Sequence, residues 1–143
     1  MNDVIVVGTD GSATADAAVQ RAADLAKMMG ARVELVSGYK EDYSLAAATG
    51  MHAADLSGEA RKAADGFLEK TAARLRSDGI KVETHCMGGD PADAIIDIAE
   101  ATAAGLIVVG SKGMRGGRRF MLGNVPNKVS HHAPCSVMIV RTD

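Results

Sequence analysis

Short β-branched runs alternate along this chain with longer stretches in which apolar residues recur every three or four positions. Val4-Ile5-Val6-Val7, bounded by Gly8, reads as a strand buried on both faces. Ser12 is placed to cap a helix in which Val19, Ala22, Ala26 and Met29 share one face and Gly30 ends the run. Val33 to Val36 predicts a second strand, followed by a long loop from about Tyr39 to Ser57, rich in Ala and Gly. Ala60, Ala64, Phe67, Thr71 and Leu75 mark a second helix closed by Gly79, and Ile80 to Met87 a third strand. Asp90-Pro91 is a strong helix start, with Ile95, Ile98, Ala99 and Thr102 on its buried face. Leu106 to Val109 reads as a fourth strand. A fourth helix is expected from about Gly123-Asn124 to before Pro134, and a last strand from Ser136 to Val140. Strands separated by helices require right-handed parallel crossovers, so the pattern predicts an α/β fold: a doubly wound, five-stranded parallel sheet with helices on both faces.

Composition narrows the function classes. The chain has 143 residues, 47% apolar and 24% charged, with no internal repeat or linker, so a single domain spanning 1–143 is expected. A net charge of −2 gives no global attraction to nucleic acid or to an anionic membrane. Aromatic residues are only 3%, too few for the stacking platforms of single-strand binders, so no nucleic-acid partner is expected. No apolar run is long enough to span a membrane, and the first residues lack a basic region and a cleavage site. A cytoplasmic location is therefore expected. Cys86 and Cys135 are too few for a disulfide framework or a zinc site.

In sheets of this kind, ligands bind past the carboxyl ends of the strands, near the point where strand order reverses. Gly8-Thr9-Asp10-Gly11-Ser12 follows the first strand, Gly38 the second and Gly88-Gly89 the third. After the fourth comes a stretch from Gly110 to Asn124 that holds five of the sixteen glycines. Gly110 and Gly113 would allow a ligand close to the backbone. Gly123-Asn124 opens a helix, and the N–H groups of Asn124 and Val125 would favour an anion there. Arg115, Arg118 and Arg119 add positive charge between. On these residues alone, a glycine loop with solvated arginines is the competing reading. Asp10 likewise reads equally as a turn carboxylate entering the first helix and as a ligand contact. The chain has no G-x-x-x-x-G-K-S/T, no G-x-G-x-x-G and no G-x-S-x-G, which removes P-loop, nicotinamide-dinucleotide and common hydrolase chemistry. A response-regulator reading fails because the third strand ends His85-Cys86-Met87-Gly88, with no phospho-accepting Asp.

The G-x2-G-x9-G pattern at Gly110, Gly113 and Gly123, followed by Asn124-Val125-Pro126, resembles the universal stress protein family. So do the opening Val6-Val7-Gly8-Thr9-Asp10-Gly11-Ser12 and the closing Ser130-His131-His132-Ala133-Pro134-Cys135-Ser136-Val137. The resemblance covers the whole chain. It implies strand order 3-2-1-4-5, a role in stress response and an adenine-nucleotide site for ATP, usually carried with Mg²⁺. By position, Asp10 would meet the ribose hydroxyls with Thr9 beside it, and the Gly38 backbone would face the adenine edge. Gly110, with Val109 before it, would lie against the ribose, and Gly113, Gly123, Asn124 and Val125 would hold phosphates. Asn124 departs from the Ser or Thr usual after the third glycine, but its amide can still donate to phosphate. Leu122-Gly123-Asn124-Val125-Pro126 also resembles an actinobacterial branch that binds cyclic AMP, which makes that nucleotide the runner-up ligand.

The same order puts Cys86 and Cys135 on opposite edges of the sheet, where they cannot bond and are expected to act as small buried fillers. It also makes the last strand an edge, apolar on both faces and without Pro or Lys, so a homodimer through that strand is expected. His131 and His132 point about 100° apart on a helix and do not form a chelate. His52 and His85 have no partner at metal-ligand spacing. Met28, Met29, Met87 and Met138 read as core or edge packing, and Met51 and Met121 as loop residues near the site that either cover a nucleotide base or are plain loop residues. No paired carboxylates, nucleophile–base pair or metal cluster is visible, so binding without dedicated catalysis is expected. A slow Mg²⁺-dependent ATP hydrolase using Asp10 is the enzyme alternative.

Overall fold

A computed structural model of the chain describes residues 3–39, 48–50, 53–112 and 122–142. The elements are β1 (Val4–Gly8), α1 (Ala13–Met29), β2 (Arg32–Tyr39), α2 (Ala53–Ser77) and β3 (Val82–Gly88), then α3 (Pro91–Ala101), β4 (Leu106–Gly110), α4 (Asn124–His132) and β5 (Ser136–Val140). All strands pair in parallel. Their order is β3-β2-β1-β4-β5, as the resemblance implies.

Strand alternation divides the core into two layers. Ile5, Val7, Val33, Leu35, Val82 and Val108 face α1 and α2, where Val19, Ala22, Ala26, Leu68, Ala72 and Leu75 close the layer. Val4, Val6, Val36, Ile107 and Val109 face the other way, against Ala92, Ile95 and Ala99 of α3 and Val129 of α4. The helix ends follow the sequence. Ser12 Oγ accepts from the Ala15 N–H at 3.1 Å, Gly30 stops α1 at φ 69°, and Asp90 Oδ1 accepts from the Ala92 N–H at 2.8 Å.

Several boundaries differ from expectation. Helix α2 begins at Ala53, inside the stretch expected to be loop from Tyr39 to Ser57. Its buried line runs through Ala64, Leu68, Ala72 and Leu75, with Phe67 on the flank. Strand β3 starts at Val82 because the Ile80 N–H turns back to the Leu75 carbonyl at 3.2 Å. Strand β2 runs on to Tyr39, so Gly38 lies inside it rather than after it. Met28 is 82% exposed and Met29 is also exposed, so neither packs in the core. Met87 and Met138 do pack against the two layers. Cys86 and Cys135 are unpaired and half-buried rather than buried. Among the described residues no helix is long and apolar enough to cross a membrane.

Candidate functional site

The sheet opens at its carboxyl end between β1 and β4. The β1–β2 ladder reaches Gly8↔Val36 and the β4–β5 ladder reaches Gly110↔Val140, but β1–β4 pairing stops at Val7↔Val108. This gap is the reversal point of strand order, where such sheets take ligands.

On the β1 side, Thr9 to Ser12 forms a tight turn with Gly11 at φ 80°. The Gly11 N–H donates to Thr9 Oγ1 at 3.1 Å and the Ser12 N–H to Asp10 Oδ1 at 2.9 Å. Asp10 thus has the turn role, and its exposed position at the crevice keeps it on the face a ligand would meet. The Phe67 ring packs directly on Gly11, where an added Cβ would come within 2.7 Å of it.

Gly38 is set by the ladder. In a parallel pair, a residue sends both its N–H and C=O to the same neighbour, and alternate residues face opposite neighbours. The Val36 carbonyl accepts from the Thr9 N–H at 2.9 Å, and the Tyr39 carbonyl from the Gly89 N–H at 2.8 Å. Val36 therefore faces β1, Tyr39 faces β3, and Gly38 aims its N–H and C=O towards the β1 side, past Gly8, where that strand has ended. The result is a donor–acceptor pair directed at the crevice. Its glycine has a second cause: a Cβ there would lie 2.8 Å from the Pro91 Cα at the start of α3.

On the β4 side, Val109 is 2% exposed and packed in the α3–α4 layer, so only its backbone can serve a ligand. Gly110 and Ser111 end the strand, and the Gly123 N–H donates to the Ser111 carbonyl at 3.0 Å. The two ends of the glycine motif are thereby joined. Gly113 lies outside the described residues, as do Met51, His52, Arg115, Arg118, Arg119 and Met121.

Gly123 is the N-cap of α4 at φ −64° and ψ 170°, with no side-chain cap among the described residues and no acidic residue in the first turn. Helices α1 and α3 carry Ser12 and Asp90 as caps, so α4 differs from both. Pro126 has no N–H, which leaves those of Asn124 and Val125 as the first donors of the helix. A bare terminus of this kind carries partial positive charge and suits an anion.

Flanking electrostatics fix α4 against α3. Lys128 Nζ lies 3.1 Å from Asp90 Oδ2 and 2.9 Å from Asp93 Oδ1. Partial burial works to raise the Asp90 carboxyl, but the Ala92 N–H and the Lys128 ammonium outweigh it and hold it below its ordinary range. Burial pushes the Cys86 and Cys135 thiols up, which keeps them protonated at neutral pH.

Sequence reasoning missed one buried group. Glu34, 3% exposed, is held by Arg32 Nε at 2.9 Å and His85 Nε2 at 2.8 Å. His85 therefore has a partner, through β2–β3 register that pairs Glu34 with Glu83 and Val36 with His85. A lone Glu within an apolar strand was the available signal.

The chain is similar to known proteins along nearly its whole length. The model of the universal stress protein family matches residues 1–141. Universal stress protein YxiE of Bacillus subtilis is 32% identical over 99% of this chain and 100% of its own. A universal stress protein solved in complex with cAMP superposes with TM-score 0.76 at 30% identity, covering 99% of this chain and 98% of that one. The solved protein MJ0577 shares the fold at TM-score 0.87 and 24% identity, over 100% and 98% of the two chains. With a family match running nearly end to end over a sheet of the implied order, the chain belongs to the universal stress protein family.

Proposed function

We propose that this chain is an adenine-nucleotide-binding module of the stress response, working in the cytoplasm, with Mg²⁺-carried ATP as its preferred ligand. The carrying observation is the uncapped α4 terminus, joined through Gly123 and Ser111 to the end of β4 and set across the β1–β4 gap from Asp10. The Gly38 donor–acceptor pair would read the adenine edge, Asp10 and Thr9 the ribose, and the Asn124 and Val125 N–H groups a phosphate. A Cβ at Gly123 would meet its neighbours among the described residues at 3.6 Å, an ordinary contact distance, so crowding there does not demand the glycine.

Cyclic AMP is the second reading, supported by the 30% identical relative crystallised with it. Asp10 favours ATP, because a carboxylate accepts from two free ribose hydroxyls and cyclic AMP offers only one. The test is calorimetric titration of the protein with Mg·ATP and with cyclic AMP, alongside mass spectrometry of any small molecule that co-purifies. ATP should bind tighter. A preference for cyclic AMP at saturating Mg²⁺ would reverse the ranking, and no binding of either would reject the module. The module reading also expects Mg·ATP turnover below ~1 s⁻¹, the low end of ordinary enzyme rates; faster turnover would identify a hydrolase.

The same reading includes a homodimer through β5. Val137, Met138, Ile139 and Val140 are only half-buried in the single chain. At the opposite edge, the Arg76 guanidinium covers the Val82 carbonyl at 2.7 Å, a device that blunts strand pairing there.

A further inference from the structure

Ser111 spends each of its polar groups on a different segment. Its N–H donates to the carbonyl of Val140, the last residue of β5, at 2.8 Å. Its carbonyl accepts from the Gly123 N–H at 3.0 Å. Its hydroxyl accepts from the Thr142 N–H at 3.2 Å and lies 3.2 Å from Thr142 Oγ1. Thr142, two residues past the last strand, also lies over the end of β4: a Cβ at Gly110 would come within 3.1 Å of its Cγ2 methyl. One threonine thus grips Ser111 with its hydroxyl and shields Gly110 with its methyl group.

We infer that Thr142 is a positioning residue for the β4–α4 junction: through Ser111 it sets where Gly123, and with it the bare α4 terminus, is held. Its importance for a ligand rests on the nucleotide reading above, while the positioning itself does not. Without the Thr142 hydroxyl, Ser111 Oγ keeps only a backbone donor on one side. The Ser111–Gly123 bond then opens more often, and the two α4 donors are presented less constantly to a phosphate. The sheet core, which Thr142 does not enter, is left as it was.

Two near-isosteric variants separate the parts. Thr142→Val keeps the methyl group and puts a second methyl in place of the hydroxyl; Thr142→Ser keeps the hydroxyl and removes the methyl. Amide hydrogen exchange of the ligand-free protein is the primary readout. Thr142→Val should speed exchange at Gly123 about fivefold, the effect of one lost hydrogen bond, with Ile5, Val7 and Val108 speeded by no more than that factor. Thr142→Ser should restore the wild-type rate at Gly123. In titrations with Mg·ATP, Thr142→Val should bind about fivefold more weakly, with the melting temperature lowered by no more than the few degrees of one lost hydrogen bond. Unchanged Gly123 exchange in Thr142→Val would overturn the inference, as would core amides speeding more than Gly123 does. A wild-type protein that binds no ATP would reject the nucleotide reading alone, since exchange at Gly123 still decides the positioning role.

Discussion

A Cβ at Gly38 would sit 2.8 Å from the Pro91 Cα, whereas one at Gly123 would find its nearest neighbours at 3.6 Å. The first contact is with backbone, which cannot swing away, so Gly38→Ala should destabilise the protein by about 1–3 kcal/mol in urea unfolding. That glycine is demanded by the β2–α3 packing as well as by any ligand. Gly123 has a negative φ, so its conformation is open to other residues and no backbone strain explains the glycine. The sequence reads Asp10 equally as a turn residue and as a ligand contact, and the structure shows the turn role. Because Oδ1 holds the Ser12 N–H, Asp10→Ala would disturb the turn itself; Asp10→Asn keeps an oxygen acceptor there. Asp10→Asn should therefore fold normally yet weaken ATP about tenfold, and weaken cyclic AMP less, in parallel titrations. The Arg32–Glu34–His85 group was not legible, because strand register, not spacing, brings positions 34 and 85 together.

At the scale of elements, ladder alternation assigns each residue of β5 a direction. The Val140 carbonyl bonds to Ser111, so Val140 and Met138 face β4, while Ile139 turns its N–H outward. Ile139→Pro should remove the dimer and spare the sheet, with light scattering falling to a monomer mass; Met138→Pro should damage the sheet as well. If Ile139→Pro remains a dimer, β5 is not the interface. Helix α3 carries a pH dependence. Asp90 is held below its ordinary value of 3.8, so its share of stability is present above that value and is lost as pH falls below it. Asp90→Asn keeps an oxygen for the cap but loses the pairing with Lys128, and should flatten this acid dependence in urea midpoints. The strands were readable because β-branched runs are compact and bounded by glycine. The start of α2 was not, since an Ala- and Gly-rich stretch carries no apolar period to distinguish helix from loop.

The proposed site lies where strand order reverses, between β1 and β4. Its place at the carboxyl ends follows from the alternation of strands and helices, and the pair of strands that flank it from the family resemblance. The joining of Gly110, Ser111 and Gly123 was foreshadowed by the glycine spacing, but the part played by Thr142 depends on where β5 ends beside β4. The central claim is that the bare α4 terminus receives a nucleotide phosphate, and Gly123→Ser tests it most directly. Serine fits the N-cap backbone and would bond its hydroxyl to the first-turn N–H groups, stabilising the free protein by a few tenths of a kcal/mol. The same hydroxyl would occupy the donors and the space that a phosphate needs. Calorimetric titration with Mg·ATP should show binding to the parent and at least about tenfold weaker binding to Gly123→Ser, with a melting temperature no lower than the parent's. Equal affinity in a folded Gly123→Ser variant would contradict the account and move the phosphate away from this helix.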